Sequence, residues 1–84
     1  DEAFEDLNLY YSSGRNKIVV LNPNNIELTS VEVFNIAGQS VYQTKDIYQS
    51  TYNEFELNNL SSGGYVVQLV TTGNATMTKK IIVN

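Results

Sequence analysis

Two runs near the end of the chain read at the period-two spacing of strands, and a polar loop joins them. A chain carrying this pattern has to build sheet. Gly63 and Gly64 interrupt any periodicity ahead of Tyr65, after which Tyr65, Val67 and Leu69 alternate with Val66, Gln68 and Val70. Both sets are apolar apart from Gln68, so this strand is expected at the centre of a sheet. Thr71-Thr72-Gly73-Asn74-Ala75 offers a glycine and an asparagine, the residues that take positive φ most readily where a chain reverses. The return arm places Met77, Lys79, Ile81 and Val83 on one face and Thr76, Thr78, Lys80 and Ile82 on the other. The expectation is a β-hairpin.

The same pattern extends back through the sequence. Leu7, Leu9 and Tyr11 alternate with Asn8, Tyr10 and Ser12, and Ser13-Gly14-Arg15-Asn16 supplies a turn. Lys17 to Leu21 is a β-branched run suited to a strand covered on both faces, and Asn22-Pro23-Asn24-Asn25 ends it. Leu28 to Ile36 reads as a third strand, with Val31, Val33 and Asn35 on one face and Glu32, Phe34 and Ile36 on the other. Glu32 is expected as a solvated edge group. Ala37-Gly38-Gln39 makes a tight reversal into Ser40 to Thr44, with Gly38 needed for its backbone conformation. Lys45 to Thr51 is a loop or a short edge strand. Tyr52 to Leu57 turns Phe55 and Leu57 inward and Glu54 and Glu56 outward, and Leu60 plugs the core ahead of the next turn. No segment carries a helical apolar period, so the expected fold is all-β: a small antiparallel β-sandwich of about seven strands, immunoglobulin-like.

The 84 residues make one domain, because so short a chain cannot divide its apolar residues between two cores. Residues 7–84 are read as that domain. Residues 1–6 (Asp1, Glu2, Ala3, Phe4, Glu5 and Asp6) are read as the end of an interdomain linker, which makes the chain look like part of a longer precursor. Nine acidic residues against five basic ones give a net charge of −4 and no basic stripe, which argues against nucleic acid. Apolar runs of about four residues fall far short of the roughly 20 needed for a membrane helix.

Histidine and cysteine are absent, and with them the common general base, the common nucleophile pairs and the thiolate or imidazole metal ligands. No cofactor is implied. Catalysis would rest on carboxylates such as Glu54 and Glu56, about 7 Å apart on one strand face. Glycosidase carboxylates at such separations sit in a deep cleft, for which a sandwich of this size has little room, so a solvated face is the simpler reading. The acidic start, Asp1 to Asp6, lacks the alternating oxygen ligands and the glycine of a calcium loop. Tyr10, Tyr42, Tyr48 and Tyr52 would suit a sugar-stacking platform, and equally suit half-buried strand positions.

Two blocks carry a family resemblance. Leu60-Ser61-Ser62-Gly63-Gly64-Tyr65, followed by the apolar strand and Thr78-Lys79-Lys80-Ile81-Ile82-Val83, resembles the C-terminal sorting domain of type IX secretion cargo from Bacteroidetes. Val31-Glu32-Val33-Phe34-Asn35-Ile36-Ala37-Gly38-Gln39-Ser40-Val41 resembles the family's other hallmark, a strand running into a glycine–glutamine turn. The likeness covers roughly Leu9 to Val83. Gly64 departs from it by standing where the family usually carries a β-branched residue.

The resemblance implies a non-catalytic domain that directs a larger, covalently joined upstream cargo across the outer membrane through the type IX system. It implies an outer-membrane shuttle, translocon proteins and a sortase-like peptidase as partners. It also implies passage through the periplasm to the cell surface or the medium. Recognition would fall on Gly63, Tyr65, Lys79, Lys80 and Ile81, with Gly38 and Gln39 as a second patch, and cleavage in the linker Asp1 to Asp6. The alternative is an accessory carbohydrate-binding or adhesive module of a cell-surface protein.

Overall fold

The computed structural model describes residues 6–57 and 60–83. Seven strands follow in chain order: β1 (Asn8–Ser12), β2 (Lys17–Leu21), β3 (Leu28–Asn35), β4 (Ser40–Thr44), β5 (Tyr52–Glu56), β6 (Gly63–Thr71) and β7 (Thr76–Val83). They form an antiparallel three-stranded sheet in the order β1-β2-β5 and an antiparallel four-stranded sheet in the order β4-β3-β6-β7. The chain crosses between sheets after β2, β4 and β5. The result is an immunoglobulin-like sandwich of the expected class.

Register explains which side chains fill it. From the smaller sheet, Leu9, Ile18, Val20 and Phe55 point inward; Val31, Val33, Val67, Leu69 and Ile81 meet them from the larger one. At about 1.5–3 kcal/mol for each fully buried aliphatic side chain, this cluster is the main favourable term. The all-apolar strand β6 lies inside its sheet, between β3 and β7, as its pattern requires. β2 is likewise the middle strand of its own sheet. Its outward-facing Val19 sits between Tyr10 and Glu54 in register and is only 1% exposed.

One detail differs from the sequence expectation, and two others settle what it left open. Glu32 is not an edge group: β3 is an interior strand, and Glu32 stands half-buried between Gln43 and Gln68. In the β6–β7 loop the asparagine takes the left-handed conformation, with Asn74 at φ 64°, while Gly73 has no positive φ. Lys45 to Thr51 settles as loop, with Ile47 packed against the core.

Asn22 does more than end β2. Its side chain is 1% exposed. Its Oδ1 accepts the Ile26 N–H at 2.9 Å and its Nδ2 donates to the Ile26 carbonyl at 2.8 Å, so one amide replaces a missing stretch of sheet ladder. Its own N–H donates to the Thr51 carbonyl at 2.8 Å. This clamp fixes the crossing from one sheet to the other.

The two sheets are also joined along one side. β1 and β7 are the sheet edges that lie together there, and the Lys79 ammonium donates to the Leu9 carbonyl oxygen. An inward charged residue on an edge strand discourages pairing with other chains.

Candidate recognition site at the turn end of the larger sheet

Cross-strand register brings together segments that are far apart in sequence. Asn35 pairs with Tyr65 and Tyr65 with Ile81, while Gly63 and Gly64 pair with Val83 and Ile82. The Asn35–Gln39 turn, the Ser61–Gly64 turn and the end of β7 therefore lie side by side, spanning roughly 10 Å across three strands. Gly38, Gln39, Gly63, Tyr65, Lys79, Lys80 and Ile81 all belong to this end of the larger sheet or to the strand rows beside it.

They do not all face outward. Tyr65 is buried at the start of β6, and its hydroxyl donates to the Ser61 carbonyl at 2.7 Å. This is a tyrosine corner, which fixes the path of the chain as it enters the strand. Ile81 is a core residue at 5% exposure. Lys79 shares the inward face and is spent on Leu9. Lys80, one residue on, is exposed and points outward beside Val66. The paired lysines thus have opposite surroundings.

The turns are built to be rigid. Asn35 Oδ1 accepts the N–H groups of Ala37 at 3.0 Å and Gln39 at 2.9 Å, and its Nδ2 donates to Gln39 Oε1 at 2.9 Å. Its N–H donates to the Gln39 carbonyl at 2.9 Å, and its carbonyl accepts the Gly38 N–H at 3.0 Å. Alternation alone places Asn35 on a strand face; its role in the turn is signalled only by the Asn-x-x-Gly spacing. Gly38 at φ 85° and Gly63 at φ 146° occupy backbone regions that side-chain-bearing residues rarely adopt.

Ile36 and Ile82 are two contributors that alternation and motif did not single out, at 84% and 57% exposure. A Cβ on Gly64 would lie 3.6 Å from Ile36 Cγ2, 3.9 Å from Ile82 Cδ1 and 3.4 Å from Lys80 Cε. These side chains therefore surround one bare spot on the outward face.

A model of the secretion system C-terminal sorting domain family matches residues 11–84. The chain belongs to this family. It is a type IX secretion sorting signal, and its function is export across the outer membrane. Among curated proteins, none matches the chain significantly.

The remaining candidate residues lie elsewhere. Asp6 is exposed at φ 64°; the other residues of the expected linker, Asp1, Glu2, Ala3, Phe4 and Glu5, fall outside the described residues. Tyr10 and Tyr52 project from the outward face of the smaller sheet, Tyr48 from a loop, and Tyr42 is half-buried, with its hydroxyl pKa raised by burial. Glu54 accepts hydrogen bonds from Tyr52 and Lys17 and pairs with Arg15 Nη2 at 2.8 Å and Lys17 Nζ at 3.1 Å. The Tyr52 hydroxyl, then Lys17 and Arg15, hold its carboxyl down to about 2. A glycosidase acid needs the opposite shift. The sorting family gives the carbohydrate alternative no support.

Proposed function

We propose that residues 7–84 form the sorting domain of a larger cargo protein, with residues 1–6 the end of the linker where the cargo is cut away. The precursor enters the periplasm, an outer-membrane shuttle engages the folded sandwich, and the translocon passes the cargo to the surface or the medium. A sortase-like peptidase then acts on the linker. The domain itself performs no catalysis. It needs no cofactor, because its work is to be bound.

The observation that carries this reading is the convergence of both sequence blocks at one end of one sheet. A partner of modest footprint can touch the Gly38–Gln39 turn, the Gly63 turn and Lys80 together. Tyr65, Ile81 and Lys79 serve the same end from inside, by holding those groups in place.

The test is location of a signal-peptide-bearing reporter fused ahead of the complete chain. In a type IX-competent bacterium the reporter is expected at the surface or in the medium, and in a strain lacking the translocon it is expected in the periplasm. The same location in both strains would overturn the proposal. Removal of residues 78–84 is a poor substitute, since it strips Ile81 and Val83 from the core.

A further inference from the structure

Recognition needs an outward surface, and the described residues offer one of distinct chemistry beside the paired turns. On the outward face of the larger sheet, Phe34 and Val66 are half-buried neighbours in register, Ile36 and Ile82 are exposed, and Gly64 leaves the space between them open. Lys80 stands among them, opposite Val66, with its stem against the Gly64 position.

Among the described residues, the charge on Lys80 has no ion-pair partner. The ion pairs among the described residues converge on Glu54, which belongs to the other sheet. The acidic residue on the same face, Glu32, is two strands away. Two strand spacings separate their backbones by roughly 10 Å, and the two side chains form no ion pair. A partner that covers Ile36 and Ile82 must also cover Lys80, and an ammonium group taken out of water without a counter-charge is strongly unfavourable. The partner therefore has to bring the counter-charge. A lone lysine on a chain of net charge −4 makes a poor anchor for an anionic membrane, which leaves a protein surface.

We infer that Ile36, Ile82, Val66 and Lys80 form the docking face for a protein of the export machinery, one that presents a carboxylate flanked by apolar side chains. This rests on the sorting reading above and adds to it the contact residues and the chemistry of the partner.

The experiment uses the reporter fusion with the complete chain in a competent host. Export is measured for wild type, Ile82→Thr, Ile36→Ser, Lys80→Glu, Lys80→Arg and, on the opposite face of the molecule, Tyr10→Ser. Thermal unfolding of each purified chain separates folding from recognition. Ile82→Thr, Ile36→Ser and Lys80→Glu are expected to cut export by about tenfold or more without a matching fall in Tm. Tyr10→Ser is expected to export as wild type does, and Lys80→Arg, which keeps the charge, to retain more export than Lys80→Glu. If Ile82→Thr lowers Tm, Ile36→Ser carries the test, since that side chain is 84% exposed.

Export of Ile36→Ser and Lys80→Glu at wild-type levels would overturn the docking face and leave the sorting function standing. A wild-type chain that sediments as a dimer broken by Ile36→Ser would assign the face to a second copy and overturn the partner. A wild-type fusion that is not exported would overturn the sorting reading, and this proposal with it.

Discussion

Lys79 on the last strand donates a hydrogen bond to the carbonyl oxygen of Leu9 on the first, joining the free edges of the two sheets. Lys80, its neighbour, makes no ion pair among the described residues and faces outward. Mutation should therefore separate their roles. Lys79→Ala is expected to destabilise the domain by about 1.5–3 kcal/mol, as for a lost hydrogen bond from a charged donor. Lys80→Ala is expected to change stability by about 0.5 kcal/mol or less, in keeping with an exposed position. Urea unfolding of the two variants measures both.

Tyr65→Phe keeps the buried ring and removes the hydroxyl bonded to Ser61. The cost is expected to be about 1 kcal/mol, because Ser61 is exposed and water can take over its carbonyl. Comparison with Tyr65→Ala, expected to cost about 3–5 kcal/mol from loss of a core aromatic, separates the corner bond from the packing. Both are read by chemical denaturation.

Asn22→Ala leaves the Ile26 N–H and carbonyl without the amide that satisfies both. A loss of about 2–4 kcal/mol is expected. Hydrogen exchange should locate the damage at the β2–β3 crossing, with amide protection at Ile26 falling ahead of that in β6.

Gly64→Val should stabilise the domain. A Cβ there meets its neighbours at 3.4 Å or more, so it makes ordinary contact with Lys80, Ile36 and Ile82. Replacing a strand glycine with a β-branched residue is expected to gain about 0.5–1 kcal/mol. In a domain of this size that raises Tm by roughly 2–8 °C.

Acid should weaken the smaller sheet through Glu54. Its carboxyl titrates near 2 in the folded protein, below the unfolded carboxylate value of about 4.3. The Tyr52, Lys17 and Arg15 contacts therefore contribute stability that is fully present above about pH 5 and is lost as pH falls toward 2. The Tm advantage of wild type over Glu54→Gln should shrink steadily across that window. Above pH 6 it should be constant.

Strand order along the chain was legible because burial imposes alternation. Phe55 and Leu57 against Glu54 and Glu56, or Met77, Lys79, Ile81 and Val83 along one face, needed no structure to assign. The central place of β6 followed from its second apolar face. What alternation cannot show is how an inward position is used. Lys79 and Ile81 share a parity, yet one stitches two sheets and the other fills the core. Asn22 and Asn35 look like ordinary turn-formers in a chain rich in asparagine, and only geometry reveals that each closes several backbone hydrogen bonds. Local pattern predicts the hairpin partners, such as β6 with β7, but not which strands from distant parts of the chain become neighbours. The meeting of Ile36 with Ile82 depends on β3 and β7 both flanking β6, a long-range choice made by the whole sandwich.

That meeting has a consequence for timing. Ile36 comes from the first half of the sequence and Ile82 from the last strand, and they share a surface only after the β6–β7 hairpin has paired with β3. Strand pairings between distant segments are the late and slow part of folding a β-sandwich. A partner that grips both isoleucines would ignore the nascent and half-folded chain alike. Binding would then act as a checkpoint, admitting to export only those molecules whose tag is already mature.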